Sequence, residues 1–411
     1  MNIERIMITS EVTKPDILCF SSSDWEGVWG SRQQVMACFA KRGYRVLFIE
    51  QMAGLEHFLR HPDLRLRHKE RRGSNPRSLM ENLWVATPPW LIPGRYFFPS
   101  VNQVNGWIIK RWLTPILGKL NFHDFLLWIY KPEHVALIGQ FQEAMCIYHC
   151  IDEWTAGIRG RKRTVIKSLE NRLLDRADLV FANSPPTYAD KKQLNPNTFR
   201  VPSAVNPEPF RQALDMTTPV HPSLQYIPLP RIGYCGSINE RLDYPILESA
   251  VKQYPQYSFV FIGDTYPWPV NALPLERLKR FKNVYFPGKF LYQEIPSLLK
   301  GLQVCLLPYV SDERAFYRSP LKLYEYLAAG KPVVSTDNPE VQEAHDLVYI
   351  ATSKVDFIEL VDFALKHDSE SERQKRLAFA EKNSWDKRVD QMESLIIDAA
   401  VKKRKQKHDS R

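Results

Sequence analysis

A chain of 411 residues exceeds one ordinary core and suits two α/β domains of about 200 residues each; at 44% apolar and 12% aromatic it can fill both, which excludes an intrinsically disordered chain. The formal charge of +10 favours anionic partners, but no recognition motif accompanies the basic runs, which excludes a nucleic-acid function. No apolar run approaches the roughly 18–20 residues that span a bilayer, the start MNIERIMITSEVTKPD lacks the apolar core of a signal peptide, and the six cysteines show no paired spacing, so a cytoplasmic chain without zinc or disulfides is expected.

The run 16–20 reads as a strand and the loop SSSDWEGVWG follows it. A helical stretch over 31–42 comes next, Gly43 stops it, and 44–49 reads as a second strand. Strand, helix, glycine, strand is a βαβ unit, which implies parallel pairing and a right-handed crossover. Residues 60–72 hold six Lys or Arg against two acids, a basic run on this part of the chain. In Trp107-Ile-Ile-Lys-Arg-Trp112 tryptophans flank two cations, a pattern that suits either an anionic membrane surface or core packing, and Pro115 is expected to cut its helix short. The runs 125–130, 144–148, 179–182 and 199–201 continue the same sheet, with a helix over 161–176.

Residues 206–230 carry six prolines without sustained period, a linker composition. Beyond them the alternation restarts with strands at 231–234, 258–262, 283–286, 304–307 and 332–335, and helices near 244–253, 293–300 and 321–329. The expected fold class is α/β, two doubly wound Rossmann-like domains facing a cleft. Ligands of open α/β sheets bind at the carboxyl ends of their strands. The boundaries are 1–208, a linker over 209–230, a second domain over 231–380, a returning helix over 381–400 and a basic tail over 401–411.

The richest chemistry lies in Ser319-Pro-Leu-Lys-Leu-Tyr-Glu-Tyr-Leu-Ala-Ala-Gly-Lys-Pro-Val-Val-Ser335. Ser319 and Pro320 can cap and open a helix, whose free amides and dipole suit a diphosphate. Lys322 falls in the first turn, where the dipole disfavours a cation, and Glu325 shares its face at i+3. A carboxylate so placed can hold a ribose diol, or the two can form an ordinary surface pair. Gly236 follows a strand and permits close backbone approach to phosphate or a plain turn, with Arg241 a few positions on. Gly288 and Lys289, after the strand at 283–286, are either ligand-contacting or turn residues. In the first domain Gly30, Arg32 and Gln33 line the loop after the first strand. His149, Asp152 and Glu153 close the strand near 144–148; Asp152 can accept a proton, orient a hydroxyl, or cap a helix.

YEYLAAGKPVVS resembles the signature of GT-B glycosyltransferases, above all the retaining family 4, and the Ser-Pro-Leu-Lys-Leu-Tyr-Glu-Tyr variant resembles a subgroup of cell-surface polysaccharide and teichuronic-acid-type transferases. The resemblance implies that Glu325 holds the nucleotide ribose, that Arg241 and Lys322 neutralise the diphosphate, and that the 283–290 segment reads the base. It implies an N-terminal acceptor domain and a C-terminal domain for a UDP- or GDP-sugar, with a glycan or lipid-linked acceptor, no cofactor and no metal, at the cytoplasmic face of a membrane. Asp152 matches the subgroup's Tyr-Asp-x-x-Asp-Asp/Glu-Trp segment, from which His149 departs. The first glutamate of the family's Glu-x7-Glu pair is Tyr317 here, so retention and inversion both stay open. Two other classes compete with a transferase: a nucleotide-sugar epimerase using His149 and Glu153, and a non-catalytic sugar-nucleotide-binding subunit. Asn206 is expected to serve as a hinge.

Overall fold

The computed structural model describes residues 14–26, 29–52, 76–265 and 272–409. The basic run 60–72 lies outside them. The chain divides into two units, residues 1–202 with 389–411, and residues 203–388.

Among the described residues, the first unit holds strands β1 (Ile17–Phe20), β2 (Val46–Ile49), β3 (Arg77–Met80), β4 (Leu83–Ala86), β5 (Leu126–Ile129), β6 (Met145–Cys150), β7 (Leu179–Ala182) and β8 (Thr198–Arg200). Their order in the sheet is β3-β4-β2-β1-β5-β6-β7-β8. β1 pairs in parallel with both β2 and β5, so the direction of winding reverses there. The helix Ser31–Lys41 joins β1 to β2, and Gly43 at φ 85° ends it, because only glycine enters that left-handed region without strain. The sequence reading lacks the β3–β4 hairpin, where antiparallel β3 is short, only partly buried and turned by Asn82 at φ 61°.

The second unit holds β9 (Arg231–Cys235), β10 (Ser258–Ile262), β11 (Val284–Gly288), β12 (Val304–Leu307), β13 (Val333–Thr336) and β14 (Tyr349–Ala351), all parallel and ordered β11-β10-β9-β12-β13-β14. Renumbered within the unit, that is the 3-2-1-4-5-6 order of dinucleotide-binding folds, with its switch point between β9 and β12. Strands β9, β10 and β12 are buried throughout, as parallel strands covered on both faces must be.

Three expectations need correction. Residues 209–230 are not a linker: Phe210, Ala213, Leu224 and Ile227 are buried in the second unit's core, and the prolines open short helices at Pro207–Arg211 and Pro222–Leu224. Pro115 does not stop its helix, which runs over Pro99–Leu120 with the proline inside. Nor is 401–411 simply a tail. The helix Trp385–Asp409 extends through most of it, and Lys403 bonds Asp178 at 2.7 Å and the Ala144 carbonyl at 3.1 Å. That helix begins in the second unit and belongs to the first from Val389 onward, where Arg42 pairs with Asp390 at 2.9 Å and with Glu393.

Candidate functional site

In the second unit the candidates gather beside β9 and β12. Gly236 ends β9 and its N–H donates to the Ile262 carbonyl at 2.8 Å. A Cβ on Gly236 would lie 2.6 Å from the Tyr234 hydroxyl, and one on Gly263 would lie 1.9 Å from the Gly236 oxygen, so both positions require glycine for packing alone. Arg241 is exposed, on a loop fixed by the Val310 N–H donating to its carbonyl at 3.0 Å and by the Leu242–Tyr309 bridge. Gly288 takes φ 104° at the end of edge strand β11 and accepts from the Gly263 N–H at 2.9 Å. Lys289 beside it is exposed and pairs with Asp264 at 3.2 Å.

The helix Leu321–Ala328 carries the decisive pair. Its apolar face buries Leu323, Tyr324, Tyr326 and Leu327, which anchors it on the sheet. Glu325 is only 5% exposed and accepts from the Lys322 ammonium at 2.7 Å. Burial alone would lower the Lys322 ammonium, but the Glu325 carboxylate carries it above its ordinary range. Tyr292, just beyond β11, lies near Glu325, and burial together with that carboxylate raises its hydroxyl well above the usual phenol value. This is a buried carboxylate held by an ammonium, not an ordinary surface pair.

Ser319 does not cap the helix. Pro320 occupies the N-cap position in extended conformation and has no side-chain cap, so Ser319 falls one residue too early. Its hydroxyl accepts from the Ser203 N–H at 3.2 Å, and its carbonyl accepts from the Ser203 hydroxyl at 3.1 Å. The sequence reading also missed Arg318, whose guanidinium lies 4.9 Å from the centre of the Tyr309 ring. A basic residue directly before Ser-Pro-Leu-Lys was the available signal.

In the first unit, Arg32 and Asp152 stand 120 residues apart in the chain yet meet at 2.9 Å. Arg32 sits in the first turn of Ser31–Lys41, a place the helix dipole disfavours for a cation, as it does for Lys322. Asp152 follows β6 with its side chain 60% exposed, and it caps no helix: the next helix, Gly160–Arg176, has Arg159 at its N-cap. Gly30 precedes the Arg32 helix in extended conformation and donates to Gln33 Oε1 at 3.1 Å; a Cβ there would meet nothing closer than 3.9 Å. Gln33 is itself buried, spanning to the Asp24 carbonyl at 2.8 Å.

His149 must be withdrawn as a catalytic residue. It is 2% exposed, packed among Tyr130, Trp128 and Phe181, with the Tyr130 ring 5.0 Å away. Burial, and then the charge of Arg32, push its imidazole down to about 3, so it is neutral and sealed from ligand at ordinary pH. Glu153 is engaged too, accepting from Lys191 at 2.6 Å and Thr155 at 2.6 Å. The two groups on which an epimerase would depend are therefore committed to the core.

Residues 229–366 match the family described as glycosyl transferases group 1. A Bacillus subtilis protein named as a teichuronic acid biosynthesis glycosyltransferase is 28% identical over 293 residues, 66% of this chain and 73% of that one. Among solved structures, sucrose-phosphate synthase from Thermosynechococcus elongatus superposes with a TM-score of 0.70 at 14% identity, covering 94% of this chain and 99% of that one. Anabaena HepE, solved in complex with UDP and glucose, gives a TM-score of 0.60 at 16% identity over 94% and 100% of the two chains. The chain is a glycosyltransferase of GT-B fold, and residues 229–366 of its second unit match the glycosyl transferases group 1 family.

Proposed function

We propose that the chain transfers a sugar from a nucleoside diphosphate donor to a hydroxyl of a cell-envelope glycan or lipid-linked acceptor, without a metal. The observation that carries this reading is Glu325, buried and held by Lys322 on the helix after β12, at the switch point of a 3-2-1-4-5-6 sheet. A carboxylate there takes the ribose hydroxyls, while Lys322, Arg241 and the helix dipole offset charge on the departing diphosphate. Similarity to a protein named for teichuronic acid biosynthesis supports an envelope acceptor, and the HepE complex supports UDP as the first donor nucleotide to test. Asp152, steered by Arg32, accepts the acceptor's proton in this scheme. A direct displacement with Asp152 as base inverts the anomeric carbon, whereas the family resemblance implies retention, and the anomeric configuration of the product by NMR distinguishes the two.

A thermal-shift screen with UDP, GDP, ADP and dTDP in EDTA tests the reading. One of them at 100 times its Kd should raise the melting point by roughly 5 °C or more, from about 2.7 kcal/mol of linkage. No shift with any of the four would overturn the donor assignment, and turnover that stops in EDTA would overturn metal independence.

The acceptor-side unit also supports contact with an anionic membrane. No helix among the described residues is long and apolar enough to cross one. On Pro99–Leu120, however, Val104, Trp107, Lys110 and Arg111 form an exposed strip, with Trp107 62% exposed, and exposed Phe97 and Phe98 precede it. Trp112 turns the other way and packs on the core, so the two tryptophans divide between the two readings of this segment. Each cation near an anionic surface contributes about 1 kcal/mol. The protein should sediment with anionic vesicles at low salt and release near roughly 0.5 M, where screening shortens to a few ångströms. No sedimentation at any salt would favour a soluble acceptor.

A further inference from the structure

Arg318 is a half-buried cation with an unmet donor. Its Nη1 is buried with no hydrogen-bond partner among the described residues, although a guanidinium presents five donors. Lys322 has Glu325, whereas neither Arg318 nor Arg241 has a carboxylate at ion-pair distance among the described residues. Burial lowers the Arg318 guanidinium from its ordinary value; Tyr309 and, beyond ion-pair distance, Asp312 oppose this, and the like charge of Arg241 adds to it. The Tyr309 ring face, 4.9 Å away, is a partial substitute for a counter-charge.

The surroundings are positive as well. Tyr309 stands just past β12 and is bridged to Leu242 on the loop after β9, so Arg318 lies at the switch point where open sheets bind ligands. The helix bearing Lys322 begins three residues later and adds the positive end of its dipole. An unpartnered buried donor, a second arginine close enough to repel it, and a helix N-terminus are together unfavourable in the free protein. A dianion relieves all three.

We propose that Arg318 is a third ligand of the donor diphosphate, acting with Lys322 and Arg241 on the charge that develops as the sugar leaves. The inference rests on the donor reading above. In the transfer step the bond between the anomeric carbon and the diphosphate oxygen breaks, and its electron pair departs with the diphosphate. The acceptor oxygen bonds to the anomeric carbon, and its proton passes to Asp152. Arg318 donates to a phosphate oxygen that grows more negative along this path, so it binds the departing group more tightly than the intact donor.

The test is calorimetric titration of the full chain and of Arg318→Met with UDP, GDP, ADP and dTDP, and with the nucleoside of whichever binds. Losing a charge-assisted hydrogen bond should weaken the diphosphate roughly 10- to 100-fold and leave the nucleoside unchanged. Arg318→Lys, which keeps the charge, should recover most of that loss. With no ligand, Arg318→Met should melt no lower than the native chain, since it removes a repelled charge; Arg318→Gln replaces it if it fails to melt cooperatively. Equal loss for diphosphate and nucleoside, or no loss, overturns the Arg318 assignment while the donor reading stands. If the native chain binds none of the four diphosphates, the donor reading falls and this assignment with it.

Discussion

Asp152→Asn should leave nucleotide affinity at the native level and cut transfer by about 10²–10⁴-fold, the usual contribution of a positioned general base. The amide keeps the size of the carboxylate and can still accept a hydrogen bond from Arg32, whose guanidinium now donates to Asp152 at 2.9 Å. What it loses is the capacity to take a proton. Because the side chain is 60% exposed, the exchange disturbs no core packing and stability should stay within about 0.5 kcal/mol. Initial rates under saturating donor, beside calorimetric titration with the nucleotide, separate the outcomes. A variant that keeps full rate, or one that loses nucleotide affinity instead, removes Asp152 from the acceptor side. His149 gives no such contrast, since its neutral ring is enclosed by three aromatics.

Glu325→Gln should weaken nucleotide binding by roughly 1–3 kcal/mol, the range for charged hydrogen bonds to a ligand hydroxyl. The amide oxygen can still accept from Lys322, but Lys322 loses its counter-charge. Lys322 is 23% exposed along its side chain, so water can reach it and the fold should survive. The nucleoside alone should lose as much affinity as the diphosphate, because the ribose is common to both. That pattern is the reverse of the one expected for Arg318. Unchanged affinity for both ligands would place the ribose elsewhere.

Much of this geometry was legible because it is local. Lys322 and Glu325 are three residues apart, and helical periodicity alone brings them to one face. The strand–glycine–helix punctuation placed both sheets, since fully buried parallel strands read as short apolar runs. Prolines misled the reading twice. Those of 206–230 give a linker composition, yet Phe210, Leu224 and Ile227 between them are core residues, and Pro115 sits inside a helix that tertiary packing sustains.

The sequence by itself determined two α/β units, their winding, and the helix that presents Lys322 and Glu325, because hydrophobic period and i+3 spacing act over a single turn or strand. Only the tertiary structure decided which polar groups at the strand ends meet. Arg32 reaches Asp152 because β1 and β6 both flank β5, an adjacency set by sheet order and not by any spacing in the chain. Arg318 lies over the Tyr309 ring within the connection from β12 to β13, a contact made by the fold of that connection and not by any helical or strand period. His149 and Glu153 looked equally available in the sequence. Burial among aromatics silenced the first and Lys191 engaged the second, because desolvation and charge pairing depend on neighbours that only the fold supplies.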